Sequence, residues 1–233
     1  MSTHRPRKRF GQHFLVDPGV IGAITDAIRP APTDTIVEIG PGTGALTGTL
    51  ARAAATLHAV ELDRDLAASL RGVYIDNEKV IIHEADALAF DFGALGPDLR
   101  IVGNLPYNIS TPLLFHLMDY RDSIVDMHFM LQKEVVDRMA AEPGTKAYGR
   151  LGIMLGCHFD IESLFDVDRS AFDPPPDVTS AIVRLVPLPA GTSVSEAEER
   201  LSRLVAQAFS PRRTTSRNAL RGIADEETLE FAG

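Results

Sequence analysis

The stretch "IVGNLPYNIS" (residues 101–110) ends an apolar run with an amide, a proline and an aromatic residue. The Asn104 side chain and the Leu105 carbonyl offer two hydrogen-bond acceptors. Pro106 stiffens the backbone that presents this carbonyl, and Tyr107 offers a ring on which a flat molecule can stack. These groups suit the binding of a flat molecule that carries an amino group. The same residues also fit a plain turn with a packed tyrosine, so the stretch alone leaves both interpretations open.

A glycine-rich loop, "VEIGPGTGALT" (37–47), predicts a cofactor site. Gly40, Gly42 and Gly44 permit a tight turn and a close approach of the backbone to a ligand. Their G-x-G-x-G spacing differs from the G-x-G-x-x-G fingerprint of dinucleotide sites. Pro41 also removes a backbone N–H that a pyrophosphate would use. A cofactor without phosphates fits better, and S-adenosylmethionine is such a cofactor.

Two acidic residues end the next two predicted strands. Glu61 follows the glycine loop by about 20 residues, and its carboxylate suits the two hydroxyls of a ribose. Asp86 suits the amino group of the cofactor's adenine. Each acid alone would also fit the cap of a helix or a turn. Because open α/β sheets bind ligands at the carboxyl ends of their strands, the two acids and the glycine loop together indicate one cofactor site.

With a methyl donor beside these strands, Asn104 and Tyr107 lie next to the reactive centre. The amino nitrogen of adenine is a poor nucleophile because its lone pair is delocalised into the ring. Two acceptors that hold its two hydrogens favour a more pyramidal and more reactive nitrogen. No strong base is needed, since the neutral amine releases its proton after transfer, and orientation and desolvation supply the catalysis.

Alternating strands and helices must position these groups. Apolar runs predict four strands, at 34–40, 56–63, 79–86 and 99–106. Helical spacing at 43–54 and 64–72 separates the first three, which predicts βαβ units and a parallel sheet. Further strands are expected at 126–132, around 156–165 and at 180–188, with helices at 111–120 and 133–141.

The chain divides at a linker, "VPLPAGTSVSE" (186–196). We expect a cofactor-binding domain over 1–190 and a small helical domain over 191–233. Since the second domain is small for an independent fold, it must pack on the first domain or be truncated.

Composition indicates a cytoplasmic protein, and we expect it to be a monomer. The single cysteine suits a reducing compartment, and no apolar run reaches the length of a membrane helix. The seven histidines lack metal-ligand spacing, so no metal site is predicted. The net charge of −9 alone argues against a nucleic-acid partner. Two basic segments nevertheless suit a phosphate backbone, although they also fit solvated tails. Their predicted RNA-binding residues are Arg5, Arg7, Lys8, Arg9, Arg212, Arg213 and Arg217.

The chain resembles the ribosomal RNA adenine dimethyltransferases, in their bacterial small-subunit branch. The motifs that carry the resemblance span nearly the whole chain: "RKRFGQHFL", "EIGPGTGALT", "ELDRDLA", "GNLPYNISTPLLFHL", "MHFMLQKEV", "AYGRLGIM", "AFDPPPDVTSAIVRL" and "AFSPRRTTSRNAL". The resemblance implies a class I, Rossmann-like methyltransferase domain with a seven-stranded, mainly parallel sheet. It also implies a helical C-terminal domain, of which "EETLEFAG" stops short, so that this domain is expected to be truncated.

The implied reaction transfers four methyl groups from S-adenosylmethionine to N6 of two adjacent adenosines. These adenosines lie in the 3′-terminal hairpin loop of 16S rRNA, within an immature 30S subunit. The resemblance implies a cofactor-contacting set of His13, Leu15, Gly40, Gly42, Glu61, Asp86 and Asn104. It further implies that Phe172 stacks on the target base opposite Tyr107, whereas a core phenylalanine beside the rigid prolines 174–176 is the alternative. His13 stands where many members carry asparagine.

Two other functions stay open at this point. The related 23S rRNA methyltransferases that give macrolide resistance share the glycine loop and a similar turn. A mainly non-catalytic role in ribosome assembly is also compatible with the resemblance. "NISTPLLFHL", "AYGRL" and "PRR" favour the small-subunit enzyme.

Overall fold

The structure is a computed structural model that describes residues 13–189 and Val205. Its strands are β1 (Phe14–Leu15), β2 (Thr35–Ile39), β3 (Thr56–Glu61), β4 (Val80–Glu84), β5 (Leu99–Asn104), β6 (Ile124–Gln132), β7 (Phe159–Val167), β8 (Phe172–Asp173) and β9 (Ser180–Pro187). Its α-helices are α1 (Pro18–Ile28), α2 (Thr47–Ala53), α3 (Arg64–Val73), α4 (Ser110–Met118), α5 (Lys133–Met139) and α6 (Arg150–Gly156). Short 3₁₀ helices lie at Phe92–Leu95, Arg121–Ser123 and Arg169–Ala171.

Seven strands form one sheet in the order β4-β3-β2-β5-β6-β9-β7. The pairs from β4 to β6 are parallel, and β9 runs antiparallel to both β6 and β7. The chain order reverses direction between β2 and β5, which creates a crevice at the carboxyl ends of these strands. The predicted seven-stranded, mainly parallel α/β sheet is confirmed.

Both faces of this sheet are covered by helices. Residues of β2 alternate between two apolar clusters, with Val37 and Ile39 in one and Ile36 in the other. The first cluster includes side chains of α4, α5 and α6, and the second includes side chains of α1 and α2. Helices on both faces explain why the central strands read as continuous apolar runs.

A second, two-stranded sheet joins the start of the described segment to residues 172–173. β1 pairs antiparallel with β8, so that Leu15 lies opposite Phe172. Val16 N also donates to Ala171 O at 2.8 Å. This pairing brings the N-terminal residues across the chain to the rim of the crevice.

The predicted strands and helices agree with the structure to within a few residues, but α1, α6 and the two-stranded sheet were not predicted. α1 begins at Pro18, where the Asp17 side chain accepts from Gly19 N and Val20 N. The predicted C-terminal domain over 191–233 lies outside the described residues, except for Val205. Within the described segment, no helix has the length and apolar character needed to cross a membrane.

Candidate active site

A cavity lies at the carboxyl ends of four neighbouring parallel strands. It is lined by residues from the ends of β2, β3, β4 and β5, and by the N-terminal residues of the described segment. The sequence-predicted residues on its lining are His13, Leu15, Gly40, Gly42, Glu61, Asp86, Asn104, Leu105, Pro106 and Tyr107. The fold therefore brings together the cofactor loop, the two acids and the "NLPY" turn.

The glycine loop turns through backbone conformations that favour glycine. Gly40 and Gly42 have φ values of 65° and 59°. A Cβ at Gly42 would also lie 3.2 Å from the Phe14 ring carbons. The loop therefore needs glycine at this position both for its turn and for the closeness of the N-terminal segment.

Glu61 is fixed by the main chain on both sides of its carboxylate. Gly42 N donates to Oε2 at 3.0 Å, and Asp63 N donates to Oε1 at 2.8 Å. Burial raises the pKa of Glu61, and these two N–H groups oppose the rise. Each carboxylate oxygen accepts one backbone bond and retains a lone pair, so Glu61 can still accept from ligand hydroxyls.

Glu38, which was not predicted, is a second buried carboxylate on the cavity lining. It lies on β2 with 2% exposure, and its Oε2 has no hydrogen-bond partner among the described residues. Burial raises the pKa of Glu38 to about 7, and the Glu61 carboxylate adds to the rise. The nearby Thr47 side chain opposes the rise, although its hydroxyl has no hydrogen-bond partner among the described residues. A charged residue inside the apolar run "TIVEI" was the sequence signal for this position.

Asn104 is oriented by the N-terminal segment. Its Nδ2 donates to the His13 carbonyl at 3.1 Å. A carbonyl oxygen only accepts, so the amide must present its nitrogen to His13, and Oδ1 remains available to a donor. The next residue is also fixed, because Leu105 N donates to Met130 O at 3.2 Å.

Three segments distant in sequence meet around Tyr107. The rings of His13 and Tyr107 stack with centroids 6.1 Å apart and planes inclined by 26°. His13 Nδ1 lies 2.8 Å from Pro174 O and must donate to it, which assigns the proton to Nδ1. The Tyr107 hydroxyl lies 2.8 Å from Ser180 Oγ. Burial raises the pKa of Tyr107, and the bond to Ser180 lowers it by less.

The position of Asp86 is compatible with both a turn bond and a ligand contact. It lines the cavity, and its Oδ1 also accepts from Leu88 N at 2.9 Å. The turn therefore uses one carboxylate oxygen, and the other is available to a ligand.

Phe172 does not lie where we expected it. Its side chain is 3% exposed and belongs to the apolar cluster that contains Leu15 and Ile24. It is absent from the cavity lining, although Leu15, its partner across the β1–β8 pair, lies on that lining. In this structure Phe172 is a core residue, and its stacking on a base opposite Tyr107 stays a prediction without structural support.

The predicted RNA-binding residues lie outside the described residues. This holds for Arg5, Arg7, Lys8 and Arg9 near the start of the chain and for Arg212, Arg213 and Arg217 near its end. Their roles stay predictions from the sequence.

Comparison with protein families gives a match along the whole chain. The family model described as "Ribosomal RNA adenine dimethylase" matches residues 3–232. The chain is 58% identical over 233 residues to "Ribosomal RNA small subunit methyltransferase A" of Aromatoleum aromaticum, covering 100% of this chain and 88% of that protein. It is 57% identical over 230 residues to the protein of the same name from Thiobacillus denitrificans, covering 99% and 90%.

Solved structures of rRNA and adenosine methyltransferases are also similar to this chain. A dimethyladenosine transferase from Plasmodium falciparum is similar with a TM-score of 0.77 and 30% identity, over 94% of this chain and 78% of that one. The 23S rRNA methyltransferase ErmE is similar with a TM-score of 0.79 and 27% identity, over 94% and 88%.

Proposed function

Because the chain belongs to the ribosomal RNA adenine dimethylase family, we propose that it dimethylates small-subunit rRNA. Its reaction transfers four methyl groups from S-adenosylmethionine to N6 of two adjacent adenosines in the 3′-terminal hairpin loop of 16S rRNA. Identity of 58% to a small-subunit methyltransferase, against 27% to the 23S enzyme, favours the small-subunit substrate. The class I methyltransferase fold agrees with this activity.

The residues present fit S-adenosylmethionine. On the cavity lining, buried Glu38 has an Oε2 with no hydrogen-bond partner in the described part of the chain, and Glu61 keeps accepting capacity beside the glycine loop. Two carboxylates and a loop without a phosphate cradle suit a cationic cofactor with a ribose. When bound, S-adenosylmethionine supplies an electrophilic methyl group on a sulfonium. We propose that Gly40, Gly42, Glu61 and Asp86 hold it, together with His13 and Leu15.

The orientation of Asn104 is the observation that carries the proposed mechanism. Its amide nitrogen donates to His13 O, which orients Oδ1 as an acceptor at the end of β5. Oδ1 and the Leu105 carbonyl would accept the two hydrogens of the adenine amine and hold its nitrogen for attack. Tyr107 would stack on the base after it leaves its neighbours in the RNA. The groups act by orientation, since none of them needs to remove a proton before transfer.

The partner follows from the substrate. We propose that the protein acts as a monomer on an immature 30S subunit in the cytoplasm, where the 3′-terminal hairpin of 16S rRNA is accessible.

The test uses 30S subunits that lack the modification. These subunits and, in a parallel reaction, unmodified 23S rRNA are incubated with the protein and labelled S-adenosylmethionine, and mass spectrometry of nuclease digests locates the product. We expect dimethyladenosine at two adjacent positions in the 3′-terminal hairpin. Methylation confined to 23S rRNA, or no methylation of either RNA, would refute the proposal.

A matched pair of variants separates chemistry from binding. Asn104→Ala should lower the single-turnover rate by at least about 100-fold, the lower end for the loss of a positioned transition-state donor or acceptor. Subunit affinity should stay within about 3-fold, because the change removes one small contact. Asn77→Ala, in the loop before β4, is the control and should methylate at the wild-type rate. A near wild-type rate for Asn104→Ala would exclude the orientation mechanism.

A further inference from the structure

The hydroxyl of Tyr107 is bonded to a residue that the cavity does not include. Tyr107 Oη and Ser180 Oγ lie 2.8 Å apart, and the residues are separated by 73 positions in the chain. Ser180 has 0% exposure and begins β9. The bond therefore connects the loop after β5 to the antiparallel half of the sheet.

Ser180 is held in place by the strands on both sides of β9. Its main chain lies between two neighbours, opposite Gln132 of β6 and Val167 of β7. The preceding residue is also tied, because Lys133 N donates to Thr179 O at 2.9 Å. A hydroxyl on a strand that is paired on both sides cannot follow a movement of the neighbouring loop.

Tyr107 is held at both ends of its side chain. Ser110 Oγ donates to the Tyr107 carbonyl at 3.1 Å, which fixes the backbone end. The Ser180 bond fixes the hydroxyl end, and the His13 ring lies against the face between them. These contacts restrict the ring to one orientation at the rim of the cavity.

We propose that Ser180 is a positioning residue for the methyl transfer and that it acts only through Tyr107. This inference rests on the proposed function, in which the target adenine stacks on Tyr107. A ring that rotates would hold the base in several orientations, of which few align the amine with the methyl group. Since the rate depends on this alignment, the buried serine determines how often the bound base is ready to react.

A double-mutant cycle tests the inference. Single-turnover methylation of unmodified 30S subunits is measured for wild type, Ser180→Ala, Tyr107→Phe and the double variant. Each single change should lower the rate by about 2- to 12-fold, which corresponds to the loss of one hydrogen bond of roughly 0.5–1.5 kcal/mol. The double variant should be no slower than the slower single variant, because both changes remove the same bond. Ser163→Ala, at an exposed position on the adjacent β7, is the control and should keep the wild-type rate.

Cofactor affinity separates a positioning role from a general structural one. Calorimetry should give the wild-type affinity for S-adenosylmethionine in Ser180→Ala, because Ser180 does not line the cavity. Weakened cofactor binding together with the lower rate would mean that the change disturbs the whole site, and would overturn the inference.

The remaining outcomes are also decisive. Rate losses that multiply in the double variant, or a wild-type rate for Ser180→Ala, would overturn the inference while leaving the proposed function intact. If Ser180→Ala fails to fold, Tyr107→Phe alone tests the inference. A wild-type rate for Tyr107→Phe would show that the bond to Ser180 does not contribute to methyl transfer. A wild-type protein that methylates no small-subunit RNA would instead refute the proposed function.

Discussion

Two carboxylates share the cofactor cavity, and their surroundings give them different properties. Glu61 accepts two backbone N–H groups, which favour its ionised form. Burial still raises the pKa of Glu61, but it raises that of Glu38, whose Oε2 has no hydrogen-bond partner among the described residues, to about 7. At neutral pH Glu38 therefore lies near the midpoint of its titration, within the site that we assign to a cationic cofactor.

We expect Glu38 to make stability fall as pH rises. Its folded pKa of about 7 exceeds the ordinary value of 4.5, so the folded state keeps a proton that the unfolded state has lost. The resulting stabilisation is complete below the lower value and disappears as pH rises through the upper one. Relative to wild type, Glu38→Gln should gain about 3 kcal/mol in free energy of unfolding between about pH 4.5 and about pH 8.

Urea denaturation of both proteins across this range measures the difference. The comparison with wild type is needed because buried His128 changes stability with pH in the direction opposite to Glu38. Burial lowers the pKa of His128 to about 4, so its contribution is lost as pH falls. Glu84→Gln, at an exposed position on β4, is the control. A difference between Glu38→Gln and wild type that does not change with pH would contradict the assignment.

The sequence predicted most of the residues at this site but not their orientation. Glycine spacing and strand ends were enough to find Gly42, Glu61 and Asn104, because parallel strands end at the same edge of a sheet. The contacts of Asn104 with His13 and of Tyr107 with Ser180 join distant segments and leave no local pattern. The burial of Phe172 in the apolar cluster with Leu15 and Ile24 likewise depends on segments that are distant in sequence.

At the scale of elements, Arg100 joins four parts of the fold. Its guanidinium donates to the carbonyls of Ile28 and Arg29 at the end of α1, at 2.6 and 3.1 Å. It also donates to Asp34 in the turn before β2 and to both carboxylate oxygens of Asp126 on β6. All five N–H groups have acceptors, so the side chain of β5 fixes the helix that covers the sheet.

Removing this guanidinium should be strongly destabilising. Arg100→Met would leave the Asp126 carboxylate, 7% exposed, without its charged partner, which we expect to cost about 3–5 kcal/mol in free energy of unfolding. Arg71→Met is the matched control, because the Arg71–Glu84 pair is exposed and should contribute less than about 1 kcal/mol. Urea denaturation compares the two. Adding Asp126→Asn to Arg100→Met should recover part of the loss, and similar costs for the two arginines would contradict this interpretation.

The sequence predicted the elements whose signal lies within the element itself. It missed elements that depend on distant contacts or are too short for a periodic pattern. The central strands are continuous apolar runs because helices cover both faces. α1 contains Gly19 and Gly22, which lower its helix propensity, and the Arg100 contacts that hold its end come from a strand far along the chain. β1 and β8 have two residues each, so they are too short for any periodicity.

At the scale of the whole molecule, the proposed function requires this acidic protein to bind ribosomal RNA, which is a polyanion. The net charge of −9 opposes this, so binding depends on where the cations are concentrated. The acid-free stretch 201–221 holds Arg212 and Arg213 and lies, apart from Val205, outside the described residues.

Reversing both arginines to glutamate should weaken subunit binding and reduce its salt dependence. Each lost phosphate contact removes released counterions, so the slope of log affinity against log salt should fall by about 2. Affinity is measured across a salt series, with Arg64→Glu and Lys79→Glu on the methyltransferase domain as the matched control. Cofactor affinity should not change. Parallel lines for wild type and the Arg212/Arg213 variant would mean that these arginines do not contact RNA.

The pairing of β1 with β8 also sets the order in which a newly translated chain acquires its site. The glycine loop, Glu61 and Asn104 are synthesised well before residues 172–174, which hold β1 and His13 in place. His13 and Pro174 are 161 positions apart, and closing so long a loop is slow. A nascent chain on the ribosome thus contains the residues that we propose bind the cofactor before β8 is available to hold His13 beside Asn104. Because the His13 carbonyl orients the Asn104 amide, we expect methylation activity to appear only after translation has passed β8.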